Sequence, residues 1–267
     1  ARNARHDTNG GSMSNATILL YVGMTTLPSR LPFIRDTIES LLAQQKRPDR
    51  IFLSLPKISA REKCPYELPS WIAEYFPILE VVECDIDYGP GTKALGCLDR
   101  LAPDGCLVLA DDDMVYKPFF LDILYREAVA HPGTACSFYT YPSRNIVVGQ
   151  GADGFCMMVR DLGGMYDYGC RSIRNPQLRV VDDLWISAYL KSRGIRIESL
   201  KHKLPDNQLV YEIVHDVNQL HDMAGAMARE TAMSKGAEYL AENGMLGRAV
   251  QAKAKVKKLV RFLTGKH

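Results

Sequence analysis

The chain has 267 residues, 46% of them hydrophobic and 24% charged, and a net charge of +2, which suits a soluble globular protein large enough to bury a sizeable core. No apolar run approaches the ~18 residues of a membrane-spanning helix, and residues 1–11 contain no apolar signal-peptide segment. The seven cysteines are odd in number, scattered and never in a Cys-x-x-Cys pair, which reads against a disulfide framework and against a zinc site and makes a reducing cytoplasm the expected location.

Residues 1–15 read as a disordered N-terminal segment, and the sequon Asn15-Ala16-Thr17 is a chance match in a cytoplasmic protein. Ile18 to Val22 is a short apolar strand, followed by the loop Thr25-Thr26-Leu27-Pro28-Ser29-Arg30 and an amphipathic helix over Pro32 to Gln45. Strands follow at Ile51 to Leu55 and Leu79 to Glu83. Asp87-Tyr88-Gly89-Pro90-Gly91 is a turn by composition, and Thr92 to Leu101 reads as a helix. The apolar run Cys106 to Ala110 reads as a buried parallel strand that opens into Asp111, Asp112 and Asp113. Alternating strands and helices predict an α/β fold with a mostly parallel, doubly wound sheet flanked by helices.

Beyond this point the pattern is mixed. Pro118 to Ala130 is helical, Ala135 to Tyr139, Ile146 to Val148 and Phe155 to Val159 read as strands, and residues 149–154 form a glycine-rich loop. Val180-Val181-Asp182-Asp183 leads into a helix over Leu184 to Ser192, which Gly194 ends before a strand at Ile195 to Leu200. Residues 219–243 are helical, and a last helix over Leu246 to Leu263 carries a basic tail.

Three consecutive carboxylates at the end of a central strand sit where open α/β sheets bind ligands, and their mutual repulsion calls for a cation. Oxygen ligands of this kind suit Mn²⁺ or Mg²⁺, with substrate phosphate completing the shell; a helix-capping acidic turn is the plainer reading. Lys93 is either a cation near a phosphate or a solvated helix-surface lysine. Asp182 and Asp183 are good first-turn residues for the helix they open.

Taken in order, the triple Asp, the loop 149–154, the Asp182-Asp183 pair and a late histidine resemble glycosyltransferases of the GT-A fold, in the style of bacterial surface-polysaccharide enzymes (family 2-like). The resemblance covers roughly residues 16–222 and leaves 223–267 as C-terminal helices with an amphipathic tail. It implies a metal-dependent transfer of a sugar from a nucleotide-diphosphate donor to a saccharide or lipid-linked saccharide acceptor, with inversion. By position, Asp111 contacts the donor ribose and Asp113 the metal, while Thr25, Thr26, Arg30, Lys93 and Asp112 line the donor. His215 and His221, rather than His202, are the candidate further metal ligands. Asp183 aligns with the general base, with Asp182 beside it. Gly151, Asp153 and Trp185 border the acceptor, with Tyr168 as a second candidate stacking ring; an aromatic in the helix 184–192 is otherwise a core residue. The family's acidic residue at the end of the second strand is replaced here by Ser54-Leu55-Pro56, with Asp85 and Asp87 as turn-forming substitutes.

Val256, Leu259, Val260 and Leu263 share one helical face in the tail, among Lys253, Lys257, Lys258 and Arg261. That is the pattern of an interfacial helix drawn to an anionic membrane surface; a basic helix packed on the body is the alternative. Nucleic acid is not an expected partner, because the body without the residues from Gly244 onward carries −5 and the tail has only Phe262 as an aromatic. Two other functions share parts of the pattern. A sugar-nucleotidyltransferase would use the same carboxylates and metal but wants a Gly-rich phosphate loop after the first strand, where only Gly23 stands. A non-catalytic membrane-docked adaptor would need the acidic turn only as structure.

Overall fold

A computed structural model of the chain describes residues 18–205, 208–213 and 223–247. His215, His221, the predicted N-terminal segment and the tail from residue 248 lie outside the described residues. Four apolar runs form the parallel strands β1 (Leu20–Met24), β2 (Arg50–Pro56), β3 (Leu79–Cys84) and β4 (Cys106–Leu109). Short strands follow as β5 (Met114–Tyr116), β6 (Thr134–Ser137), β7 (Thr140–Ser143), β8 (Ile146–Gly149), β9 (Phe155–Met158), β10 (Arg196–Ser199) and β11 (Tyr211–Ile213). The helices are α1 (Arg35–Leu42), α2 (Thr92–Leu95), α3 (Phe120–Ala130), α4 (Met165–Ser172), α5 (Asp182–Ser192) and α6 (Met223–Glu242).

Seven strands form one sheet in the order β10-β6-β9-β4-β1-β2-β3, in which β9 alone runs antiparallel to its neighbours. This is the mostly parallel α/β sheet expected. β1 pairs with β2 on one side and with β4 on the other, so the order reverses between β1 and β4. At such a reversal the connections leave in opposite directions and open a crevice beyond the carboxyl ends of the strands.

Residues of alternating sidedness fill two core layers. Phe52, Leu107 and Leu109 pack beneath α2, α4, α5 and α6, while Leu20, Val22 and Val108 pack against α1 and α3. Helix α6 belongs to the first layer, where Ala237 and Leu240 are buried with Leu178, Leu184 and Trp185. All seven cysteines are free.

Several local expectations change. The helix expected over 92–101 is a single turn, α2, followed by a 3-10 turn at Leu98–Arg100; Gly96 between them is a poor helix residue. Helix α4, a short segment whose buried side includes Gly169 and Ser172, and strand β7, which contains Pro142, carry little sequence signal. β7 and β8 form a hairpin turning at Arg144, whose φ is 53°. β11 pairs with β5 just past the triple Asp. Helix α5 begins at Asp182, not Leu184.

Candidate active site

The pairing of β1 with β4 continues one residue past the end of β4, where the Ala110 N–H donates to the Gly23 carbonyl at 3.1 Å. The acidic run therefore enters the crevice at a fixed depth. Its backbone is held by the Thr37 hydroxyl, which donates to the Asp112 carbonyl at 3.0 Å, and by the Asp111 N–H, which donates to the Tyr116 hydroxyl at 2.8 Å.

The loop after β1 supplies the first cation. Arg30 contacts Asp112 at 2.7 Å and Asp113 at 2.6 Å, and the Thr26 hydroxyl also donates to Asp112. Arg30 is thus a partner of the acidic run and not a free surface charge. Thr25 is turned the other way and donates to the Ser54 carbonyl at 2.7 Å, tying the end of β1 to β2.

Lys93 is the second cation. It is only 4% exposed and lies 2.6 Å from Asp111 and 3.1 Å from Asp182, so it is a buried bridge between the two acidic motifs and not a solvated helix-surface residue. Burial works against its charge, but Asp111, Asp182 and Asp183 outweigh that and raise its pKa well above the usual lysine value. Asp111 is pushed up by burial, but Lys93 holds its carboxyl below the ordinary value.

Asp182 and Asp183 open α5, yet neither caps it through its side chain. Asp183 instead accepts the Gly151 N–H at 3.0 Å and faces Arg229 of α6 at 3.4 Å. Ser187, one turn further along α5, accepts the Gly149 N–H at 3.1 Å and fixes the glycine-rich loop to the same helix. A side chain at 151 would place Cβ 2.7 Å from the Lys93 ammonium and 3.3 Å from an Asp183 oxygen, so the loop comes this close only as glycine.

Burial and the adjacent Asp182 raise the Asp183 pKa to about 7, against the opposing pull of Lys93 and Arg229. Burial also lifts Asp112 to about 6, opposed by Arg30 and Thr26 and assisted by Asp113 and Asp111. Asp153 is likewise raised to about 6 by burial and by Asp111. The crevice thus holds more carboxylates than its two innermost cations, Arg30 and Lys93, balance.

Among the described residues no group of three or more His, Cys, Asp or Glu is placed to hold a metal ion. The donor chemistry nonetheless fits a hard divalent cation: Asp111 and Asp113 remain 33% and 15% exposed at the crevice, and such ions take one or two carboxylates with water and phosphate completing the shell.

Other expected residues fall elsewhere. Trp185 is fully buried against Gly91 and Gly169, so it is a core residue and offers no stacking face to a sugar. Tyr168 is also buried, with its hydroxyl donating to the Met245 carbonyl at 2.8 Å. His202 lies exposed in the turn Lys201–Lys203. Asp87 organises its own turn by accepting the N–H groups of Gly89 and Ala60, each at 2.6 Å, and Asp85 pairs with Lys57 at 2.6 Å. A cavity of about 650 Å³ opens at the β3 edge, lined by Cys84, Tyr88, Leu95, Leu162 and Tyr166 among others, and contains none of the expected site residues. The acidic crevice is the better candidate because the titratable groups converge there. Sequence reasoning missed Tyr116, three residues past the acidic run, and Thr37 and Arg229, which sit in helices with no motif around them.

No protein-family model matches the sequence, and no curated protein matches it. Among solved structures, the chain overlaps a mannosyltransferase from Pyrobaculum calidifontis, described in complex with GDP-Man and Mn²⁺, at 15% identity and a TM-score of 0.49 over 92% of this chain and 80% of that one. It overlaps a 2-C-methyl-D-erythritol 4-phosphate cytidylyltransferase from Francisella tularensis at 13% identity and a TM-score of 0.44, over 80% and 100% of the two chains. The glycosyltransferase GlyE of Streptococcus pneumoniae TIGR4 gives 10% identity and a TM-score of 0.48, over 86% of this chain and 65% of that one. With TM-scores below 0.5 these overlaps are loose, and nothing about this chain's substrate or chemistry follows from them.

Proposed function

We propose that the chain is a GT-A type glycosyltransferase that moves a sugar from a nucleotide-diphosphate donor to a saccharide or lipid-linked saccharide. The observation that carries this reading is the meeting of Asp111–Asp113 with Asp182-Asp183 around the buried Lys93, beyond the carboxyl ends of β1 and β4. One motif is suited to the donor and the other to the acceptor.

On this reading Asp111 receives the donor ribose, and Thr26 and Arg30 hold Asp112 and Asp113 in place. A divalent Mn²⁺ or Mg²⁺ held by Asp113, with Asp111 beside it, neutralises charge on the departing diphosphate when bound. Asp183 takes the proton of the acceptor hydroxyl as that oxygen bonds to the anomeric carbon. The bond to the donor phosphate oxygen breaks on the opposite face, inverting the centre and releasing nucleoside diphosphate. The Gly151 N–H aims the Asp183 carboxylate, and Asp153 borders the acceptor.

Because Asp183 must be ionised to act as a base and burial raises its pKa to about 7, kcat/KM is expected to climb with pH through about 7 and level off above it. A profile that is flat between about pH 5 and 9 would remove Asp183 from this role.

Product analysis tests the function itself. Incubation with UDP-, GDP- and CMP-linked sugars and acceptors is expected to release the nucleotide from one of them, with the sugar joined to the acceptor. Release of pyrophosphate from a nucleoside triphosphate and a sugar phosphate would identify a nucleotidyltransferase instead. That reading has less support, because the loop after β1, residues 25–30, is engaged with Ser54 and Asp112 and contains no glycine. Absence of any nucleotide binding would leave the adaptor reading.

No helix among the described residues is long and apolar enough to cross a membrane. The basic tail is proposed to bring the protein to the anionic cytoplasmic face of a membrane and so to lipid-linked acceptors. Met245 and Leu246 belong to the core, so the informative truncation begins at residue 248. Removing 248–267 is expected to abolish sedimentation with anionic vesicles and spare transfer to a soluble acceptor. Equal sedimentation of both forms would reject the membrane role.

A further inference from the structure

Helix α6 presents a packed face made of Ala232, Met233, Gly236, Ala237 and Leu240, at the three- and four-residue spacing of one helical side. Ala232 and Met233 are 3% and 8% exposed, and Gly236 lies against Leu178 and Leu184. One turn earlier the same face reaches position 229. There the expected apolar residue is replaced by Arg229, which is 47% exposed and ends beside Asp183.

The other two cations of the crevice are committed. Lys93 is buried between Asp111 and Asp182, and Arg30 contacts Asp112 and Asp113 at 2.7 and 2.6 Å. Arg229 has one carboxylate contact, long at 3.4 Å, although a guanidinium carries five N–H donors. Its charge acts on Asp111, Asp153 and Asp182 as well as on Asp183, the carboxylate it contacts. Among the described residues of this crevice it is the cation most loosely held by carboxylates and the most exposed, and a planar guanidinium matches the paired oxygens of a phosphate.

We infer that Arg229 is a binding residue for the donor's diphosphate, moving from Asp183 onto a phosphate oxygen when the nucleotide enters. This rests on the glycosyltransferase reading above. Donor entry then frees Asp183 to meet the acceptor, and after transfer Arg229 balances the added charge of the released nucleoside diphosphate. Helix α6 becomes part of the active site, not an appendage to it.

Calorimetric titration of UDP, GDP and CDP in the presence of Mn²⁺, beside the matching monophosphates, tests the inference on the intact chain. For the diphosphate that binds the wild type, Arg229→Ala is expected to weaken affinity about 10–100-fold, with the monophosphate changed by less than about three-fold. Arg229→Lys is expected to recover part of the loss, since it keeps the charge without the fork. Asp183→Asn, which removes the competing carboxylate, is expected to bind the diphosphate at least as tightly as wild type. Should Arg229→Ala not fold, Arg229→Gln carries the same expectation. A folded Ala or Gln variant that binds the diphosphate like wild type would overturn the inference and leave the transferase reading standing. A wild type that binds none of the three diphosphates would overturn both.

Discussion

Replacing Asp183 by asparagine is expected to lower turnover by about 10²–10⁴-fold while leaving donor binding intact. The amide keeps the oxygen that accepts the Gly151 N–H at 3.0 Å, so the loop and helix α5 keep their places, and what is lost is the ability to take a proton together with the long contact to Arg229. The contrast with a structural role is sharp because the Asp183 side chain does not cap its helix; a stability loss from a missing cap would be about 1 kcal/mol without a change in chemistry. Single-turnover kinetics with saturating donor, beside calorimetric donor binding, separate the two. Near-normal turnover would reduce Asp183 to a structural contact.

The second large effect is on stability. Lys93→Met is expected to destabilise the fold by about 3 kcal/mol, at the lower end of the range for breaking a buried ion pair by removing one partner. The methionine is close in volume, so packing is kept. Asp182 is then left 8% exposed without its cation, and Asp111, which is 33% exposed, is relieved by water only in part. For a chain of this size the midpoint of thermal unfolding is expected to fall by about 6–12 °C. In the variant the Asp111 carboxyl titrates at higher pH, since the Lys93 charge that favoured its ionised form is gone. The deficit is therefore expected to shrink as pH falls and Asp111 becomes neutral. Differential scanning calorimetry at several pH values reads both, and an unchanged midpoint at neutral pH would mean that Lys93 is not the electrostatic centre of the crevice.

Much of the frame was legible in the amino-acid order because β1, β2 and β4 are buried almost throughout, and continuous apolar runs bounded by turns have few other uses. Asp111–Asp113 and Asp182-Asp183 were legible as chemistry, since neighbouring carboxylates need a reason to be close. What local pattern does not contain is the distance between them. Lys93 looks like any helix lysine until Asp111 and Asp182 are placed on either side of it. Trp185 was misread toward the acceptor because an aromatic beside a catalytic motif and an aromatic in a core have the same neighbours in sequence. Arg229 left no local mark at all: its meaning comes from α6 folding back onto α5, a long-range contact that no helical periodicity reports.

The central claim is that the carboxylates beyond β4 bind a nucleoside diphosphate through a divalent cation. Calorimetric titration of nucleoside diphosphates into the wild type and Asp113→Ala, each with Mn²⁺ and with a chelator, addresses it most directly. The account predicts saturable binding of one nucleoside diphosphate to the wild type with Mn²⁺, lost on chelation and lost in Asp113→Ala. Binding that survives both the chelator and the substitution, or no binding under any condition, would contradict it.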